Sequence, residues 1–561
     1  MTGLAVLMLA ATTACADPPP DLVLHHGRIH TEDRLRSEAQ AIALRGNTIV
    51  AVGADGAVDA LIGPNTRVVD LAGKTVLPGI IDAHTHPAES AYELDACSLE
   101  DELLDEAGIE AKVKACYAAR PGNPKLWFEV VQINAAGLTL TRADLDRMVP
   151  DRPAEFSDAD GHTAWLNSKA LAAAGITRAT KDPDGGRIEH DAAGEPTGTL
   201  RDNGWDVAEA AKPKPSLDEE AAQTARAFAL MSATGITSVQ DASVDDHLMS
   251  IYKRLWDRHQ LNMRVRACFH LADLSRPPEK LIEEAVAFRA RWAVDPNFLR
   301  ADSVKIFNDG VLEYPIQTAA LLEPYLDADG KPTTDRGPDY YKPENLNRIV
   351  GAADAAGLTV HVHAIGDRAI RGALDAFEWA RRLDGDQDNR HQIAHLELVD
   401  PADLPRFKQL GVIANFQLLW AQHDPDIEQT IKFIGPERAK RLYPARSVRD
   451  AGALIVGGSD WSVSSFDAFV AMEHAITRAE AKGQPPLLPE QALTLQDMVD
   501  AYTINAAYAL KQEKTTGSLE PGKRADLIVL DRDIFAIDPY ELHETKVLAT
   551  YLDGKEVYMA M

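Results

Sequence analysis

Eight short apolar runs, each leading into an amphipathic stretch, constrain this 561-residue chain more than any other feature. They are Val76–Asp82, Ile236–Ala242, Met263–Leu271, Ser303–Asp309, Leu358–Ala364, His391–Glu397, Val412–Gln417 and Leu454–Asp460. Continuous apolar runs of this length fit strands buried on both faces, as in a parallel sheet covered by helices. Between them, stretches such as Glu219–Thr234 and Pro343–Ala356 carry apolar residues at helical spacing. Strand then helix, eight times over, predicts an α/β fold of the (β/α)8 TIM-barrel type.

The interval between the first and second runs is far too long for one helix and its loops. Residues 88–215 therefore predict a large insertion after strand 1. It contains helical pieces over Leu99–Ala118 and Ser168–Ala174, and a Gly-rich polar stretch at Asp182–Gly198. An insertion at that end of a barrel strand lies above the barrel mouth, where loops shape a substrate pocket. Short alternating strands occupy both ends of the chain: Leu22–Leu24, Ala41–Leu44 and Thr48–Val52 at one, Ala525–Asp531 and Val547–Tyr558 at the other. Neither set can bury a core alone. Residues 21–74 and 512–561 are thus expected to combine into one small β-sandwich domain, leaving 75–87 and 216–511 for the barrel.

The formal net charge is −28, which argues against nucleic acid and anionic membrane surfaces as partners. A small molecule is the expected partner, and self-association into a homo-oligomer is left open. No apolar span of about 20 residues suits a bilayer crossing. Residues 1–20 read as a targeting segment: Leu4–Ala11 is apolar, small residues follow, and Cys15 precedes an Asp-Pro-Pro-Pro stretch. This resembles a bacterial lipoprotein signal. It implies a periplasmic, cell-envelope location with a lipid on Cys15 as the membrane contact. An ordinary secretory signal is the alternative, and neither belongs to the fold. The remaining cysteines are Cys97, Cys116 and Cys268. In an exported chain Cys97 and Cys116 are either a disulfide flanking one helical segment or two buried thiols.

The first run ends abruptly in Asp82, His84 and His86. Side chains alternate along a strand, so the two imidazoles share a face. Each offers one neutral nitrogen, which suits a metal ion. The surrounding Pro78-Gly79, Asp82, His84, His86 and Pro87 resemble the end of the first barrel strand in the amidohydrolase superfamily. The segment Gly517–Leu527 is similar to that superfamily's return into its small β-domain. Within the insertion, Asp160–Leu171, Asp184–His190 and Gly194–Gly198 resemble amidohydrolase family 3, in the branch that includes N-substituted formamide deformylase. The likeness covers essentially the whole mature chain.

Active sites of such barrels lie at the C-terminal strand ends. Those ends supply His84, His86, Lys305, His363, His395 and Asp460, the ligand set that the resemblance implies for two divalent metal ions. Zn2+ is typical there, and the donors would also accept Mn or Fe. Lys305 is implied to be a bridging carbamate derived from CO2, since an ammonium is a poor ligand. The implied reaction is attack of metal-activated hydroxide on an amide or N-formyl C–N bond, with Asp460 as catalytic proton shuttle. A deaminase or an ester or lactone hydrolase on the same barrel is the alternative. A non-catalytic envelope binding lipoprotein is the alternative of another class. His361 and His391 read as structural. Candidate substrate contacts are His162 and Trp165 in the insertion and Gln417 and Trp420 after strand seven.

Overall fold

The computed structural model describes residues 18–560 apart from 101, 120–125, 135–137, 160, 162, 184–185, 273–275 and 315. Eight parallel strands follow one another in space in their sequence order: Ile80–Thr85, Ile236–Val244, Arg264–His270, Leu299–Phe307, Thr359–Ala364, Gln392–His395, Ile413–Phe416 and Ile455–Gly457. The expected (β/α)8 barrel is therefore present. Strands eight and one are not joined by a regular ladder. Asp460 donates its backbone N–H to the His84 carbonyl at 2.7 Å, and Ser459 donates to the Asp82 carboxylate at 3.0 Å. The barrel thus closes through hydrogen bonds between the residues that end its eighth and first strands. Gly458 permits this approach, because a Cβ there would lie 2.6 Å from the His84 Cβ.

The run Val76–Asp82 is two strands rather than one. Thr75–Pro78 pairs with Leu527–Leu530 and Arg28–His30 in a six-stranded sheet built from both chain ends, and Ile80–Thr85 begins the barrel. Gly79 is the joint: a Cβ there would meet Thr237 Oγ1 at 2.3 Å. A four-stranded sheet, with Leu22–His25 between Ala41–Arg45 and Arg67–Asp70, completes the small β-region. The fully buried Arg264 couples it to the barrel floor, donating from Nε and Nη2 to Asp526 at 2.6 and 2.9 Å and from Nη2 to Asp553.

Helices form where the spacing predicts them, at Leu217–Ala233 and Pro343–Ala355. The first begins with a capping box between Ser216 and Glu219, which satisfies backbone donors at its start. The insertion holds helices Glu106–Ala119 and Ser168–Ala173, and also a six-stranded mixed sheet that the sequence reading did not foresee. The Gly-rich stretch forms its edge hairpin, Gly186–His190 against Pro196–Asp202. Trp165 lies in that sheet, buried in one cluster with Phe128, Phe156 and Val113. The structure thus places Trp165, expected as a substrate contact, in the insertion's core, where on a strand buried by helices an aromatic fills the space.

Cys97 and Cys116 are joined in a disulfide, with their Cα atoms 5.8 Å apart. It ties a short strand to the helix Glu106–Ala119 across a sequence separation of 19 residues. Closing a loop of that length stabilises by about 3 kcal/mol, chiefly by restricting the unfolded chain. Protein purified without reductant, denatured and alkylated, should carry no label at Cys97 or Cys116 by peptide mass. The double variant Cys97→Ser/Cys116→Ser should exchange amide hydrogens faster across residues 106–119, with little change in the barrel strands.

Candidate metal centre

Alternation on the first strand sends Ile81 and Ala83 outward, into a cluster with Ala506, Ala507 and Leu510. Asp82 and His84 therefore face the barrel interior, and His86 follows just past the strand's end. On the fifth strand Val360 and Val362 lie in the outer core, which turns His361 and His363 inward. Lys305 comes from the fourth strand and is completely buried. His395 and Asp460 arrive differently. Both adopt left-handed backbone conformations, at φ 78° and 54°, uncommon for residues other than glycine. On the sixth strand Ile393 packs outward and Gln392 inward, so simple alternation would send the His395 ring outward. The left-handed turn brings it in. His391 remains outside, stacked on Phe377 and bonded to Asp354 at 3.0 Å.

Asp460 is where these residues converge. Its Oδ1 lies 3.2 Å from His84 Nε2 and 3.1 Å from His86 Nε2. His84, His395 and Asp460 each offer an atom within 4.8 Å of the other two. Lys305 Nζ stands 3.4 Å from His84 Nε2, with no carboxylate in ion-pair reach among the described residues. His363 lies beside the group, its ring 4.3 Å from that of His395 and its Nε2 3.1 Å from the Gly310 carbonyl. Trp420 stacks on His395 at 5.7 Å. Gln417 accepts the His395 backbone N–H at 3.1 Å and donates to Asn415; it braces the sixth strand's end. His162 lies outside the described residues.

The electrostatics follow from burial. Desolvation pushes Lys305 down to about 8, and desolvation with the Lys305 charge pushes His84 down to about 3. Burial opposes charge on Asp460, but the interactions with His84 and His86 outweigh it and hold the carboxyl well below its usual range. Burial likewise opposes charge on His86, and the Asp460 hydrogen bond reverses this and raises it.

A chain of polar side chains lies beneath the site and holds its rings in place, and sequence reasoning missed most of it. Gln392 Oε1 accepts from Gln240 and Asn415 at 3.2 and 3.1 Å and lies 3.1 Å from His361 Nδ1. Gln240 Nε2 lies 3.0 Å from the same nitrogen, so His361 Nδ1 sits between an amide donor and an amide acceptor. His361 Nε2 lies 2.8 Å from His84 Nδ1. That contact orients the His84 ring and aims its Nε2 at the Asp460 carboxylate. The legible signal was a polar residue within a buried strand, as at Gln240, Gln392 and Asn415.

This arrangement fits a divalent cation. His84 Nε2 and His86 Nε2 converge on one Asp460 oxygen, at 3.2 and 3.1 Å. His395 is buried with neither ring nitrogen hydrogen-bonded, and His86 Nδ1 makes no hydrogen bond, with Glu89 3.6 Å away. Imidazole and carboxylate together are the donor set of zinc and its neighbours. Residues 67–558 match the model of the amidohydrolase family. The chain belongs to that family. It is a metal-dependent hydrolase of carbon–nitrogen bonds, which sets aside the non-catalytic reading. Two relatives match nearly end to end. Protein LONG AFTER FAR-RED 3 of Arabidopsis thaliana is 31% identical over 98% of this chain and 94% of its own. N-substituted formamide deformylase of Arthrobacter pascens is 30% identical over 95% and 97%. An uncharacterized metal-dependent hydrolase from Pyrococcus horikoshii shares the fold, with a TM-score of 0.74 at 24% identity, covering 92% of this chain and 99% of that one.

In this amidohydrolase, His361→Ala should fold and weaken metal retention about 10–100-fold, because the group orienting a metal-binding imidazole is lost. Competition with a chelator measures the change. Retention equal to wild type would mean that His361 does not orient His84 for the metal.

Proposed function

We propose that the protein hydrolyses an amide or N-formyl C–N bond of a small molecule at a two-metal centre. The observation that carries this is the meeting of His84, His86 and Asp460 around one carboxylate oxygen. His84, His86, Lys305, His363, His395 and Asp460 would hold the ions, zinc by donor chemistry. Lys305 would take part as a carbamate, formed from its amine and CO2 with loss of a proton. Two features support that reading: the amine is buried without a carboxylate partner, and it stands against a proposed ligand. The N-formyl variant draws support from the deformylase relative.

Bound divalent ions would supply acidity to a coordinated water and polarise the substrate carbonyl. Asp460 receives the proton that water loses as it attacks, and returns it to the departing nitrogen. Its low pKa favours the ionised form that must accept first. The hydrogen bond from its own backbone N–H to His84 ties the shuttle to the first strand. Trp420, stacked on His395, is proposed to wall the substrate pocket, and Gln417 to position His395 rather than touch substrate. For location, we propose the cell envelope, with Cys15 lipidated. Cys15 lies outside the described residues, and support comes from the Cys97–Cys116 bridge, which persists in oxidising compartments. Metabolic labelling with a fatty acid, lost in Cys15→Ser, tests it; unlabelled wild-type protein would end it.

Asp460→Asn keeps the shape of the side chain and removes the base. It should fold, keep most of its metal and lose about 10²–10⁴-fold in kcat, with a smaller change in KM. Steady-state kinetics on an N-formyl or N-acyl amine found by screening give the answer. Near wild-type turnover in Asp460→Asn would show that the proton moves by another route.

A further inference from the structure

A second cluster of metal-binding groups sits on the small β-region, in a different sheet from the barrel. We propose that His25, His26 and Asp70 form a surface site for a borderline divalent cation, zinc being the natural occupant. Neighbouring residues on a strand point to opposite faces, so two adjacent histidines do not ordinarily face one ligand. Here His26 takes a left-handed conformation, at φ 54°. The two rings consequently stack, with centroids 4.0 Å apart and planes 16° from parallel. Asp70 ends the neighbouring parallel strand in register with His25. One ligand atom from each of the three residues lies within 4.8 Å of the other two.

The surroundings prepare these groups. Asp59, on the helix Asp55–Asp59, lies 3.1 Å from His25 Nδ1. A carboxylate there keeps the proton on Nδ1 and leaves Nε2 as the lone-pair nitrogen, the usual outer partner of a metal-bound imidazole. The same helix fixes the turn, because Asp55 accepts the His26 backbone N–H at 2.8 Å. Asp70 is held by the Ala72 N–H at 2.8 Å and lies 3.2 Å from His26 Nδ1. Two imidazoles and one carboxylate select zinc, copper or nickel over calcium or magnesium, which prefer oxygen donors. The cation would clamp the ends of two strands against the helix Asp55–Asp59 and leave a coordination position to water.

Isothermal titration of ZnCl2 into the metal-loaded enzyme tests the site. The wild type should bind further zinc beyond its barrel load. His26→Asn, which tolerates the left-handed backbone, and Asp70→Asn should each bind it at least ten-fold more weakly. Hydrolytic turnover should be unchanged in both variants. Wild-type protein that takes no further zinc, or variants whose titrations match the wild type, would overturn the proposal.

Discussion

Everything at the barrel mouth depends on a single convergence. Two imidazole nitrogens meet one carboxylate oxygen, at 3.2 and 3.1 Å, with His84 fully buried and His86 and Asp460 only slightly exposed. Away from bulk water, such a set of donor atoms around one anion attracts a cation strongly. The fold imposes it. Strands one and eight have no regular ladder, and the Asp460 N–H on the His84 carbonyl takes the ladder's place. Barrel closure and the centre are therefore built from the same residues, and a change at Gly458 or Asp82 would disturb both.

The buried polar layer beneath the centre has the same logic. Gln240, His361, Gln392, Asn415 and Gln417 satisfy one another across the second, fifth, sixth and seventh strands. A half-satisfied network in that position would cost more than an apolar one. Completed, it orients the His361 and His84 rings. The insertion reaches the same region from above: Gln132 donates to the Ser462 carbonyl at 3.2 Å, and Ser462 donates to Glu93. Both contacts fall two residues beyond Asp460, so the cap and the carboxylate are mechanically linked.

Much of this was legible in the sequence because barrel strands obey simple rules. Eight apolar runs gave eight strands, and their polar terminal residues marked the mouth. What alternation could not give was His395, whose inward ring depends on a left-handed turn, or the break at Gly79, where one apolar run serves two sheets. Trp165 packs in the insertion's core, a placement its sequence did not give because a buried strand and a pocket wall share the same composition. The insertion's sheet was hidden by short strands with polar hairpin residues, whose pairing is non-local. Ring orientations were illegible for a further reason: they are set by neighbours far apart in sequence, such as His84 and His361.

The account rests most heavily on Lys305, a buried amine standing 3.4 Å from His84 Nε2. The most direct measurement is 13C NMR of apoprotein reconstituted with zinc in 13C-labelled bicarbonate. The account predicts a carbamate carbon resonance that appears as activity returns and is absent from Lys305→Ala. Full activity regained from zinc in bicarbonate-free solution, with no labelled carbamate, would contradict it.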